Sequence, residues 1–256
     1  MTSAGKLKIV VSDRDLSVGS SFRLYFSLIV LYFSSIAITA QQLTLIDLEE
    51  IPQRKVRSFI ESEEIDKMND FSLIRPSCID DAIESDYHVL VKTFFLNNRL
   101  SDVWECYRHA DLTKYSRKCS VRFGLLLEKF SNTVIYNGRP EKTVIDTGQV
   151  YFMNLRLLKG LLNVPVAFEI ITIDPGKLVV ELSYIEGNKT RGKQTLQFFD
   201  NGDGRTRIVH RSFFRSESSL RDAVFYPLFH KKFIREFHSI MKQNIVNKPL
   251  IVSAGF

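Results

Sequence analysis

YPLFHKKFIREFHSIMKQNIV, residues 226–246, is the stretch on which the reading of the fold turns. At about 100° per residue, Tyr226, Phe229, His230, Phe233, Phe237, Ile240 and Met241 fall in one stripe. Lys231, Arg235, Glu236, Ser239, Lys242 and Gln243 fall on the opposite side. Pro227 sits where a first helical turn tolerates proline, and Lys248-Pro249 closes the run. A helix with so wide and bulky an apolar face predicts a broad apolar partner, which the rest of the chain must supply.

That partner reads as a sheet. YHVLVKTFFL (87–96) is a strand, and NNRLSDVWECYRHAD (97–111) is a helix entered through Asn98 or Ser101, followed by a short turn or helix, LTKYSRKC. From there to the terminal helix only strands appear. VRFGLLLEKF alternates Val121, Phe123, Leu125 and Leu127 against Arg122, Gly124 and Glu128. NTVIYNG, EKTVIDTG, QVYFMNLRLL and VPVAFEIITI follow. The DPGK turn at 174–177 and the DNGDG turn at 200–204 join clear hairpins. Antiparallel strands with one helix after the first and one at the end predict a curved sheet gripping the final helix.

This order, carried by LSDVWECYRHAD, FEIITIDPGKLVVELSY, GDGRTRIVHRSFFR and the closing helix, resembles the START-like (SRPBCC) superfamily over about residues 86–247. That superfamily includes polyketide cyclase-like proteins, lipid-transfer START domains and the birch-pollen allergen family. The resemblance implies an α+β helix-grip fold: a curved antiparallel sheet of about six to seven strands wrapped on a long C-terminal helix. It also implies a cavity between the two that holds a hydrophobic small molecule or lipid. It brings no catalytic signature and implies no cofactor.

Alternation selects the inward residues. Arg205, Arg207 and Arg211 share one face of their strand, so Thr206, Ile208, His210, Ser212 and Phe214 point the other way. Glu181 and Glu169 mark the outer face of two more strands, which leaves Val180, Leu182 and Tyr184, and Phe168 and Ile170, inside. Tyr107, Phe123, Phe168, Tyr184, Phe229, Phe233 and Phe237 are the expected apolar wall, with Trp104 beside it as a reporter of occupancy. His210 from the sheet and His230 from the helix aim at the same space, as ligand-binding groups or, in an alternative cyclase- or hydrolase-like enzyme, as acid and base. Core histidines satisfied by their neighbours, in a solid-core interaction domain, are the plainer alternative. His88, His109 and His238 lie at element ends or edges and are expected to do less.

Other chemistries lack their residues. There is no Ser-His-Asp order, no HExxH and no glycine-rich phosphate loop. DNGDG lacks the distal glutamate of a calcium loop. Asn188-Lys189-Thr190 satisfies the glycosylation pattern, which matters only in a eukaryotic secretory pathway. Cys78, Cys106 and Cys119 have neither CxxC nor metal spacing, so no metal is expected. Buried thiols are the simpler reading, and a Cys106–Cys119 bridge is open only to an exported chain.

The formal net charge of +6 is unevenly placed. Residues 41–86 hold five Lys/Arg against twelve Asp/Glu, and residues 87–256 hold 26 against 15. The basic charges are scattered singly along strands, with no basic helix or RNA-binding aromatic motif, so no nucleic-acid partner is expected. An acidic arm could instead dock on the basic sheet. Residues 23–42, RLYFSLIVLYFSSIAITAQQ, carry one positive charge, an apolar block and a small residue, the order of a secretory signal peptide cleaved after Ala40. The block is about 17 residues long, which also admits an uncleaved anchor and hence a membrane surface as partner. The expected organisation is a signal or anchor (1–40), an acidic arm (41–85), the helix-grip domain (86–247) and a tail (248–256) in an exported protein. Its oligomeric state is left open.

Overall fold

The structure is a computed structural model that describes residues 45–78, 87–115, 120–138 and 144–247. The leader at 23–42, Cys119, part of EKTVIDTG and the tail lie outside them.

The elements along the chain are α1 (Arg54–Ser62), β1 (His88–Leu96), α2 (Leu100–Arg108), α3 (Leu112–Tyr115), β2 (Val121–Glu128), β3 (Thr133–Tyr136) and β4 (Gln149–Leu157). β5 (Leu162–Asp174), β6 (Val179–Tyr184), β7 (Thr190–Asp200), β8 (Thr206–Ser216) and α4 (Tyr226–Asn247) follow, with one π-helical turn, Arg221–Phe225, leading into α4. All strands pair antiparallel in one sheet of order β1-β8-β7-β6-β5-β4-β2-β3. The short helices α2 and α3 carry the chain from one edge of the sheet to the other, and hairpins bring it back. The α+β helix-grip fold expected from the sequence is the one found, with eight strands rather than six or seven. Ile145 and Asp146, expected within a strand of their own, are irregular.

The hairpin turns form for the reasons their residues suggest. Asp174 Oδ1 accepts hydrogen bonds from the amides of Gly176 and Lys177, both 2.9 Å, closing β5 onto β6. Asp200 Oδ1 accepts from the Gly202 amide at 2.8 Å at the β7–β8 turn, where Gly202 and Gly204 supply positive φ. Asn188 is fully employed: its amide exchanges hydrogen bonds with both backbone groups of Ala167 and donates to Ile185 O. The glycosylation pattern there is thus spent on clamping the β6–β7 turn to β5.

Simple alternation fails in β2. The register shifts between Phe123 and Leu125, a β-bulge at Gly124. Phe123 and Leu126 pack on one side of the sheet with Tyr151, Phe168 and Ile170, whereas Leu125 and Leu127 pack on the other. Gly124 also admits close approach, since a Cβ there would lie 2.9 Å from Val56 Cγ1 and 3.1 Å from Phe152 O.

Val56 belongs to the acidic arm, which covers the outer face of the sheet over β2, β4 and β5. Ile46, Ile51, Val56, Ile60, Phe71 and Ile74 are buried against Leu125, Leu127, Val150, Phe152 and Ala167. The docking is by apolar burial. Gln53 Nε2 donates to Phe123 O at 2.8 Å, and Pro76 forms a β-bridge with Ile185. Glu169, expected outside, is therefore buried beneath the arm. It pairs at 3.0 Å with Lys129, which also donates to Ile74 O. Burial pushes the Glu169 carboxyl up, and the Lys129 hydrogen bond opposes it.

Candidate functional site

The inner face of the sheet and α4 enclose a cavity of about 190 Å³. Its floor is apolar: Met153, Leu155, Val166, Phe168 and Ile170 from β4 and β5, and Val180, Leu182 and Leu196 from β6 and β7. Tyr107 and Leu112 close one side, and Phe233, Ile234, Phe237 and Ile240 form the roof. On α4 the deepest positions are His230, Ile234, His238 and Met241, at spacings of four, four and three. The buried stripe is thus rotated from the one expected, and it takes in His238 where an edge position was foreseen.

A continuous hydrogen-bonded chain crosses this interior. Tyr107 Oη lies 2.6 Å from His238 Nδ1, His238 Nε2 lies 3.0 Å from His210 Nδ1, and His210 Nε2 lies 2.8 Å from Gln194 Oε1. Gln194 Nε2 donates to Tyr184 Oη at 3.3 Å, and Tyr184 Oη meets Tyr226 Oη at 3.0 Å. With the Gln194 carbonyl facing His210, the protons are assigned in one direction. His210 donates to Gln194, His238 donates to His210, and Tyr107 donates to His238. Both histidines are neutral in this arrangement. His230 stands beside the chain, its ring centroid 6.0 Å from that of His210, with Nε2 2.7 Å from Ser212 Oγ. Tyr226 stacks on its ring at 4.7 Å.

Burial dominates the electrostatics. It pushes His230 down to about 4 and His238 down to about 3, and holds His210 well below its ordinary value, with His238 and His230 adding to the effect. It raises the hydroxyls of Tyr184 and Tyr226. Glu236, the one carboxylate among the described residues that line the cavity, accepts from the Ser120 amide at 2.8 Å and from the Ser120 hydroxyl at 3.0 Å. Among the described residues no group of His, Cys, Asp or Glu has the arrangement to hold a metal ion.

Of the residues expected at the site, Tyr107, Phe168, Tyr184, His210, His230, Phe233 and Phe237 line the cavity. Three others do not. Trp104 packs edge-on against Phe198, with ring centroids 5.4 Å apart, and faces a shallow surface depression with Leu100 and Leu178. Phe123 is sealed within the sheet against Tyr151. Phe229 is half-buried and lies parallel to Phe225. Sequence reasoning missed Gln194 and His238. Gln194 shares the face of Leu196 and Phe198 by period two, and His238 lies four residues beyond Ile234, so both signals were present.

A curved antiparallel sheet closing on a C-terminal helix over an apolar cavity defines a helix-grip protein. No family model matches the chain, and no curated protein matches its sequence. Among solved structures it is similar to norcoclaurine synthase from Thalictrum flavum, in complex with dopamine and hydroxybenzaldehyde, at 11% identity and a TM-score of 0.48, over 67% of this chain and 95% of that one. It is also similar to a Thermus thermophilus protein, TTHA0849 (11% identity, TM-score 0.43, 62% of this chain and 97% of that one). Ara h 8.0201 gives 11% identity and a TM-score of 0.42 over 62% and 98%. Likeness at this level carries nothing about activity.

Proposed function

We propose that this protein binds a hydrophobic small molecule or lipid in the cavity without transforming it. The observation that carries this reading is the wall itself: an almost wholly apolar lining with a few polar side chains grouped on one side. The enzyme alternative loses support at His210. Both its ring nitrogens are bonded within the protein, to His238 and Gln194, so it has no proton or lone pair to give a substrate. Native mass spectrometry of the purified protein, with uptake of the neutral fluorophore N-phenyl-1-naphthylamine, tests the proposal. A bound small-molecule mass or saturable uptake is expected, and Leu182→Trp should abolish uptake while leaving the fold intact. Neither adduct nor uptake would leave a solid-core scaffold as the better account.

We propose further that residues 23–42 direct export. The mature chain should then begin at Gln41. A full-length chain recovered with membranes would favour the anchor instead, and a full-length chain in the cytosol would remove the proposal. Among the described residues no helix is long and apolar enough to cross a membrane.

A further inference from the structure

Among the described residues, the cavity's polar side leaves the Nδ1 of His230 open. Tyr107, His238, His210, Gln194 and Tyr184 are engaged with one another, and Glu236 is engaged with Ser120. His230 lines the cavity and uses only Nε2, toward Ser212 Oγ at 2.7 Å; its Nδ1 has no partner among the described residues.

Ser212 fixes which ring nitrogen carries the proton. Its hydroxyl is fully buried, and its only hydrogen-bond neighbour among the described residues is His230 Nε2. If Nε2 were protonated, it would donate to Ser212 Oγ, and the serine proton would be buried with no acceptor. A buried donor left unsatisfied is costly, whereas the opposite arrangement satisfies the serine hydroxyl and Nε2 and leaves only the Nδ1–H, which faces the cavity. The serine therefore donates to Nε2, and the imidazole proton sits on Nδ1.

From this placement we propose that the cavity selects a neutral amphiphile whose single polar group is a hydrogen-bond acceptor, such as a ketone, ester or hydroxyl oxygen, received by the Nδ1–H of His230. The inference rests on the cavity-binding reading above and specifies its ligand class. Among the described residues no Lys or Arg lines the cavity, and the Glu236 carboxylate there already pairs with Lys232 at 3.7 Å, so an entering ionised carboxylate would be desolvated with no free cation among those residues to meet it. The remaining lining accepts the apolar body.

A matched ten-carbon set tests this: methyl ketone, alkane, carboxylate and ammonium, each displacing N-phenyl-1-naphthylamine at pH 7.5. The ketone is expected to bind about tenfold more tightly than the alkane, as befits one buried hydrogen bond. That preference should shrink to within about threefold in His230→Phe, and the carboxylate should bind weakest. Equal binding of ketone and alkane to the wild type would overturn this inference while leaving cavity binding in place. Tightest binding by the carboxylate would overturn it too, and tightest binding by the ammonium would move the polar end to Glu236 with the same result. Failure of every compound to bind would sink the cavity reading itself. The tautomer has its own readout, independent of any variant folding. Nitrogen-15 NMR of labelled wild-type protein should find His230 protonated at Nδ1, and protonation at Nε2 alone would overturn the assignment.

Discussion

His238 Nε2 lies 3.0 Å from His210 Nδ1, so the C-terminal helix is tied to β8, next to the edge strand β1, by a hydrogen bond between two buried, neutral imidazoles. Phe94 stacks on His238 at 3.9 Å, and Tyr107 caps its other nitrogen. One side chain thus joins β1, α2, α4 and β8.

His238→Phe should therefore be damaging, not neutral. It removes the hydrogen bond from His238 to His210 Nδ1 and the one from the Tyr107 hydroxyl to His238, two buried bonds in all. The expected cost is about 2–6 kcal/mol, at about 1–3 kcal/mol for each bond lost. Urea denaturation measures it, with the exposed His109→Phe as control. A loss below about 1 kcal/mol would mean the chain of bonds contributes little to stability.

Stability should fall on mild acidification. The unfolded chain takes up a proton at each histidine near the ordinary value of 6.5, but burial holds His230 to about 4 and His238 to about 3. Between those limits the unfolded state binds more protons, so stability present above pH 6.5 is lost progressively as pH falls toward the folded values, by up to about 1.4 kcal/mol per pH unit for each histidine. Glu169, raised by burial, works in the opposite direction but is one group against three. Melting temperatures at pH 7, 6 and 5 should decline, and less steeply in His230→Phe. A flat profile would show that the three rings protonate without loss of the fold.

Removal of residues 45–77 should leave a sheet that aggregates or unfolds. The sequence suggested an acidic arm that could dock on the basic sheet. In the structure its departure would expose Leu125, Leu127, Val150 and Phe152 together. The gentler variant Phe71→Ala should cost about 3–5 kcal/mol, the range for a large core side chain. Size-exclusion chromatography and thermal melts check both, and a truncated protein that stays monomeric and melts normally would contradict the packing.

Gly192→Ala should be among the most disruptive single-atom changes in the sheet. Gly192 sits in β7 at φ +133°, and an added Cβ would lie 2.0 Å from Phe213 O in the neighbouring strand. Both the backbone conformation and the contact oppose a side chain, and roughly 2–4 kcal/mol is expected by thermal or urea denaturation. Gly202→Ala, in the open β7–β8 turn, has no atom within 4 Å and meets only the backbone penalty.

What could be read in advance follows from how local each signal was. The DPGK and DNGDG turns, the strand run and the amphipathic helix rest on neighbours in sequence, and they gave the fold and most of the cavity wall. The Gly124 bulge could not be read so directly, because the residue that lies against it, Val56, comes from the distant arm. Glu169 looked solvated because the segment that buries it lies about a hundred residues earlier. His238 was misplaced for a different reason: a broad apolar stripe leaves its centre undefined by about one residue position, and only contact with His210 fixes it.

Strand β4 separates the arm from the cavity, with Phe152 packed into one and Met153 lining the other. Neither face is given over to water, and the strand reads as QVYFMNL rather than as alternating apolar and polar residues. A strand in that position has little room to drift, because a substitution that suits one side is met at once by a neighbour on the other. Its amide hydrogens at Val150, Tyr151 and Phe152 should be among the slowest in the molecule to exchange with deuterium. Those at the exposed end of β1, near His88 and Val89, should exchange early. The most protected part of the protein is then not the helix on which its fold was first read, but the strand that serves both faces of the sheet at once.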